Sequence, residues 1–388
     1  MLRSIIRHAS TNVATTTTTT TATTRPSLLS ILPSKRTINR ILFDNDSSIT
    51  YSKMIPVLTE IYNNLSTPSK IQIPNKITTH DLMIFKKVLE NIRNITQSIN
   101  KNLLDLENEI IEQCAEMGNL DAITLLSFET IQKSLTKNQI ISPQLEEDLK
   151  TANKFIKELT DLKHPLVFKM AGDLAYEKGV FNKALEFYTQ FLEVEPDTIE
   201  AGHIYYNLGY YFFAQPPPTQ DYQKSKQYFL KCLKLCDLDQ FSIKAHYYLG
   251  QLYIDTNPKL AKYHMEISAT KSLAESFNSL GFLEMNKFKN YNIALEWFKL
   301  GIEARNQDVL CLIGCFDCYM NLKNWENANK ILKNLKNLKT KMDSFKLDKT
   351  KIVPDSMKGQ FEFNDSLLIT FFKSRENDFN LLNNKLGE

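Results

Sequence analysis

The chain has 388 residues, 43% hydrophobic and 11% aromatic, with a net charge of +3 and only 11 glycines and 13 prolines. That length and apolar content allow a sizeable core and two or three structural units, while the scarcity of turn residues excludes a many-stranded β protein. The charge is too small for a nucleic-acid footprint, and six cysteines do not make a disulfide scaffold. The longest apolar run, Ile204 to Ala214, is too short to span a bilayer, so any membrane contact is expected to be peripheral.

No Asp or Glu precedes Asp44, whereas Arg3, Arg7, Arg25, Lys35, Arg36 and Arg40 do, and Thr15 to Thr21 is an unbroken threonine run. Acid-poor, Arg-containing and hydroxyl-rich composition is that of a mitochondrial transit peptide, expected to be disordered over residues 1–36. Its removal takes five positive charges with it and turns +3 into −2, so the basic balance belongs to the address.

A helical region follows over 37–164. Pro56 interrupts its first candidate helix. Thr79 offers an N-cap for the apolar spacing of Leu82, Phe85, Val88, Leu89 and Ile92, and Leu103, Leu106, Ile110, Ile111 and Cys114 make a second amphipathic helix. Ala115 to Leu126 aligns with Ala269 to Leu280, Gly118 falling on Ser272, which marks one degenerate copy of a repeat. Pro143 breaks the next helix, and Gln144 to Leu162 is another.

The repeat itself is plainest between Ala261 and Tyr319. Ala261, His264, Met265 and Leu280-Gly281 recur 33 residues later as Ala294, Trp297, Phe298 and Ile313-Gly314. Such a period, carried by small residues and aromatics at helical spacing, is that of stacked helical hairpins, with Ala and Gly where paired helices touch. The array spans 165–338, with glycines at Gly172, Gly209, Gly250, Gly281 and Gly314. Pro216-Pro217-Pro218 is a loop within one hairpin. Residues 339–388 read as a charged, loose connector to Gln360, then a capping helix started by Asn364-Asp365 and carrying Leu367, Leu368, Phe371, Phe372, Phe379 and Leu382.

Phe168, Ala171-Gly172, Ala175, Phe181, Ala184, Tyr188, Phe191 and Pro196 resemble the tetratricopeptide pattern, and 261–320 resembles the related Sel-one-like repeats. Both imply an all-α, right-handed α-solenoid. Lys35 to Phe43, Gly118 to Phe128, Thr151 to Lys157, Leu280 to Gly301 and Gly314 to Cys318, in that order, are similar to the family of the budding-yeast mitochondrial protein required to export the C-terminal domain of cytochrome oxidase subunit 2. That resemblance implies a matrix-side protein peripheral to the inner membrane, working beside a YidC-like insertase on the subunit 2 tail.

In tetratricopeptide-like arrays the first helix of each hairpin lines the concave face, one residue after the packed aromatic and one after the glycine. Those positions are Lys169 and Asp173, Tyr206 and Tyr210, Tyr247 and Gln251, Asn278 and Phe282. Tyrosines and amides there suit an extended peptide. The carboxylate-clamp subset of the family would add Lys169, Asn207 and Lys244, but Asp173 and Tyr248 stand where an Asn and a basic residue are expected, and an acid repels a carboxylate. Cys232 with Cys236, and Cys311 with Cys315 and Cys318, share helical faces without a legible His partner, and read as buried thiols rather than metal ligands, although the register puts Cys311 and Cys315 on the groove side. The six histidines are scattered without a catalytic motif, and His246 reads as an interior imidazole. The expectation is therefore a non-enzymatic, cofactor-free assembly factor for translocation of the subunit 2 tail. A matrix adaptor for mRNA or translational activators is the alternative, opposed by a mature charge near −2.

Overall fold

The computed structural model describes residues 25–45, 47–96, 98–136, 143–305, 308–347 and 354–386, among which are nineteen α-helices and no strand. The chain divides into two units between Val194 and Glu195. No helix among the described residues is long and apolar enough to cross a membrane.

The first unit holds α1 (Leu28–Ile31), α2 (Lys35–Asp44), α3 (Tyr51–Asn63), α4 (Thr79–Thr96), α5 (Lys101–Glu116), α6 (Leu120–Thr136), α7 (Pro143–Asp161), α8 (Pro165–Glu177) and α9 (Phe181–Val194). Its main core joins Leu28, Ile38, Tyr62, Phe85, Leu106 and Ile110. The part of the expected leader in residues 1–24 lies outside the described residues. Residues 25–36 are not disordered: Leu28 is buried in that core, Arg25 donates to the Tyr62 carbonyl at 3.1 Å, and the Tyr62 hydroxyl donates to the Pro26 carbonyl at 2.9 Å.

Pro56 does not interrupt α3 but lies inside its second turn. It deprives one carbonyl of a partner, a loss offset by the burial of Met54, Val57, Leu58, Ile61 and Tyr62 along one face. The cap of α4 is Thr78 rather than Thr79. Its hydroxyl accepts from the Asp81 amide at 3.2 Å while the Asp81 carboxylate takes the Thr78 amide at 2.8 Å, a reciprocal box.

The second unit runs α10 (Ile199–Ala214), α11 (Tyr222–Leu235), α12 (Gln240–Tyr253), α13 (Pro258–Thr270), α14 (Ala274–Leu283), a π-helical turn at Glu284–Phe288, α15 (Tyr291–Ala304), α16 (Val309–Asn321), α17 (Trp325–Leu347), α18 (Asp355–Ser374) and α19 (Glu376–Leu386). Polar caps punctuate it: Thr198, Asp221, Asp239, Asn257, Asn290 and Asp308 each accept amides of the helix they precede. The triple-proline segment is the expected loop between α10 and α11.

The glycines lie where large side chains cross. A Cβ at Gly209 would stand 2.7 Å from the Phe229 ring, and Gly281 and Gly314 both face Phe298. One aromatic thus fills the space that two glycines leave, with Ala294 fully buried beside it. The turns at the two aligned positions are alike, in a form that Lys163, Gly179 and Lys323 also adopt. Gly118 and Ser272 both have positive φ, 83° and 60°. Asn119 donates to the Cys114 carbonyl as Leu273 does to that of Ser268.

The C-terminal segment departs from expectation. The stretch from Lys339 is not loose: α17 continues to Leu347, and α18 begins at Asp355, nine residues before Asn364. Asp365 caps nothing. It is buried in mid-helix, bonded to Lys339 at 3.3 Å and to Lys346, and so ties α18 to α17. Phe371, Phe379 and Leu382 close the core of α16 and α17, as a terminal cap must.

Candidate functional site

The first helices α10, α12 and α14 carry a run of aromatic and amide side chains. The Tyr210 ring lies 5.1 Å from that of Tyr248, and Tyr248 lies 5.2 Å from Tyr247. The Tyr247 hydroxyl is 3.4 Å from Ser279 Oγ, which also accepts Gln251 Nε2 at 2.9 Å and reaches Asn278 Oδ1 at 3.5 Å. Tyr210, Tyr247, Gln251 and Asn278 are all half-buried. Ser279, which joins them, was missed because the register counts only the positions after the packed residues.

Other expected groove residues are placed differently. Tyr206 is not exposed: it is 9% accessible, enclosed by Phe229, Phe241, Tyr248 and Tyr210. Neighbouring hairpins approach closely at α10 and α12, which turns that position inward. Phe282 is half-buried edge-on to Phe298 at 5.0 Å. Asn207 is half-buried on α10 and Lys244 exposed on α12.

In the first unit Lys169 Nζ is bonded to Asp173 Oδ2 at 2.8 Å, and Asp173 Oδ1 accepts the Tyr188 hydroxyl at 2.8 Å. The cation that a carboxylate clamp would use is already engaged by an acid. Tyr248, where the clamp needs a base, is packed among rings.

Cys311, Cys315 and Cys318 do not line the groove. All three are buried, packed with Phe298 and Leu295, and burial pushes the Cys315 and Cys318 thiols up to about 12. His246 is the interior imidazole expected, but its partner is a second histidine. Nδ1 of His246 lies 2.8 Å from Nδ1 of His264, one ring donating to the other, and burial with the neighbouring ring holds His246 down to about 4.

His203 on α10 donates from Nε2 to Asp239 Oδ2 at 2.8 Å, and these two with Cys236 place one N, one O and one S donor atom within 4.8 Å of one another. Sequence spacing could not reveal this cluster, since His203 is 33 residues from Cys236. A pocket of about 410 Å³ is lined by Lys259, Lys262, Tyr263 and Phe288, with Lys262 paired at 2.6 Å to the buried Glu284. It shares no residue with the tyrosine run.

Residues 24–119 match the family model of the MSS2 N-terminal domain. The chain is 35% identical over 307 residues to Protein MSS2, mitochondrial, of Saccharomyces cerevisiae, covering 78% of this chain and 85% of the relative. Among solved structures it is similar to a Sel1 repeat protein from Oxalobacter formigenes, at 16% identity and TM-score 0.38 over 63% of this chain and 96% of that one. It is also similar to MamA protein, at 18% identity and TM-score 0.38 over 49% and 98%.

Proposed function

The chain belongs to the MSS2 family, and from that membership we propose that it is a mitochondrial adaptor that receives an extended segment of another polypeptide along α10, α12 and α14. The observation that carries this reading is the continuous line from Tyr210 through Tyr247 to Ser279, Gln251 and Asn278. Half-buried rings offer contact area at low entropic cost, and the amides and hydroxyls beside them satisfy an incoming backbone. No chemistry is required of the adaptor itself. The segment is the C-terminal tail of cytochrome c oxidase subunit 2, handed on the matrix side of the inner membrane to a YidC-like insertase, with peripheral membrane contact.

Deleting the gene and comparing subunit 2 synthesis with exposure of its tail beyond the inner membrane tests the assignment. Normal synthesis with a trapped tail is expected. Absent synthesis overturns it in favour of an adaptor for mRNA or translational activators. A photo-crosslinker replacing Tyr247 should capture newly made mitochondrial polypeptide, and one replacing the exposed Leu238, on the same unit but outside the tyrosine run, should not.

A further inference from the structure

Asp239 closes the N-terminus of α12 with one oxygen and serves a different helix with the other. Oδ1 accepts the amides of Phe241 and Ser242 at 2.9 and 2.8 Å, which fixes the carboxylate, while Oδ2 takes Nε2–H of His203 at 2.8 Å. The imidazole is held flat against Phe241, 4.1 Å away. Cys236 ends α11 in extended backbone, half-exposed, and its sulfur occupies the space left by the missing side chain of Gly202. Its thiol donates to the Ile199 carbonyl at 3.7 Å, and Cys232 is buried one turn earlier on the same helix. A nucleophile, a base beside it and an acid orienting that base are the three parts of an activated thiol.

We propose that Cys236 is a modification site, a nucleophilic thiolate held by His203 and Asp239 that reacts with hydroperoxides. The sulfur attacks the distal peroxide oxygen; the S–O bond forms as the O–O bond breaks. The departing hydroxide or alkoxide takes the proton of the His203 imidazolium, leaving a sulfenic acid and a neutral ring. The Cys232 thiol then attacks that sulfur, forming a disulfide and releasing the sulfenic oxygen as water.

The electrostatics agree. The neighbouring Cys232 and His203 hold the Cys236 thiol below its ordinary range, against burial and the charge of Asp239. Burial opposes charge on His203, but its bond to Asp239 and the nearby Cys236 outweigh that and raise it to about 9. The other five cysteines are buried, and burial pushes Cys114, Cys315 and Cys318 up to about 12. Oxidation should therefore be selective.

The test uses the full chain, reduced and stripped of divalent metal with a chelator, because the same donors could hold an ion. Equimolar hydrogen peroxide with dimedone should yield Cys236 as the sulfenic adduct or as its disulfide with Cys232, ahead of all other cysteines by mass spectrometry. Iodoacetamide labelling of Cys236 should show a midpoint at least one pH unit below the ordinary thiol value of about 8.5. His203→Gln should raise that midpoint by about a unit and slow labelling at pH 7 about ten-fold, with helical content by circular dichroism unchanged. Asp239→Asn, which keeps a capping acceptor, removes the partner of the imidazolium but also a charge that disfavours the thiolate, and should shift it less. An ordinary midpoint in the unaltered chain, no shift in folded His203→Gln, or equal oxidation of the buried thiols would overturn the proposal.

Discussion

The hairpins of α10–α12 and those of α14–α16 are built on one frame and filled with opposite chemistry. Both set a glycine of a first helix under an aromatic of the second, Gly209 under Phe229 and Gly281 under Phe298. Around Phe298 the remaining space holds Cys311, Cys315 and Cys318, small and inert. Around Phe229 it holds Tyr206 and Tyr248, with His203, Cys236 and Asp239 at the adjoining helix ends. The frame decides how closely backbones approach; the filling decides whether the interior can titrate, react or bind.

If the frame is shared, removing either central ring should cost the same. Phe298→Ala and Phe229→Ala, both fully buried, are each expected to lose about 3–5 kcal/mol by urea denaturation of the full chain. A loss below about 1 kcal/mol for either would show that its hairpin is not held by that interlock. Beyond the Phe298 region, the array is closed by Arg375, whose guanidinium meets the buried Asp317 at 2.6 Å. Burial nonetheless raises Asp317 to about 6. Arg375→Ala should cost about 2 kcal/mol, less than a wholly buried pair because the arginine is 36% exposed. In an Asp317→Asn background the same change should cost little, which a double-mutant cycle would read.

The titrating side of the comparison has its own signature. Burial holds His264 below its ordinary value, and burial with His264 holds His246 down to about 4. Both rings are neutral when folded at pH 7 but take protons more readily when unfolded. Their contribution is therefore present above about pH 6.5 and is lost as the pH falls towards 4. The loss should be on the order of 1–2 kcal/mol after allowance for partial exposure. His246→Phe should flatten the melting temperature across that window, and an unchanged acid slope would remove the pair as its source.

Period and small-residue spacing made the hairpins legible, because a glycine at a helix crossing leaves a mark in the sequence itself. The half-buried placement of Tyr210, Tyr247, Gln251 and Asn278 on first helices follows from the same register, counted from those glycines. What register cannot carry is contact between helices of different hairpins. Tyr206 turns inward because Phe241 and Tyr248 arrive from α12, and His203 meets Cys236 only once α10, α11 and α12 are assembled. The C-terminal segment was misread for a different reason. Lys339 and Lys346 look like solvated charge until Asp365 is brought opposite them from α18. Leu28 was taken into the leader because composition marks an address without marking where folding begins.

The smallest effect tests the deepest correspondence, that between the turn at Gly118 in the first unit and the turn at Ser272 in the second. Both residues are left-handed, and both turns make the same pair of amide bonds back into the preceding helix. Only the side chain differs. A methyl group added at Gly118 would touch nothing within 4 Å, so Gly118→Ala reads backbone conformation alone and should cost about 1 kcal/mol. Ser272→Gly relieves the same strain but adds freedom to the unfolded chain, so its gain should be smaller, about 0.5 kcal/mol. Opposite signs would mean that the two turns are one structure written with two residues. A destabilised Ser272→Gly would mean that the serine contributes something the turn does not need, and the alignment of the two copies would lose its physical basis.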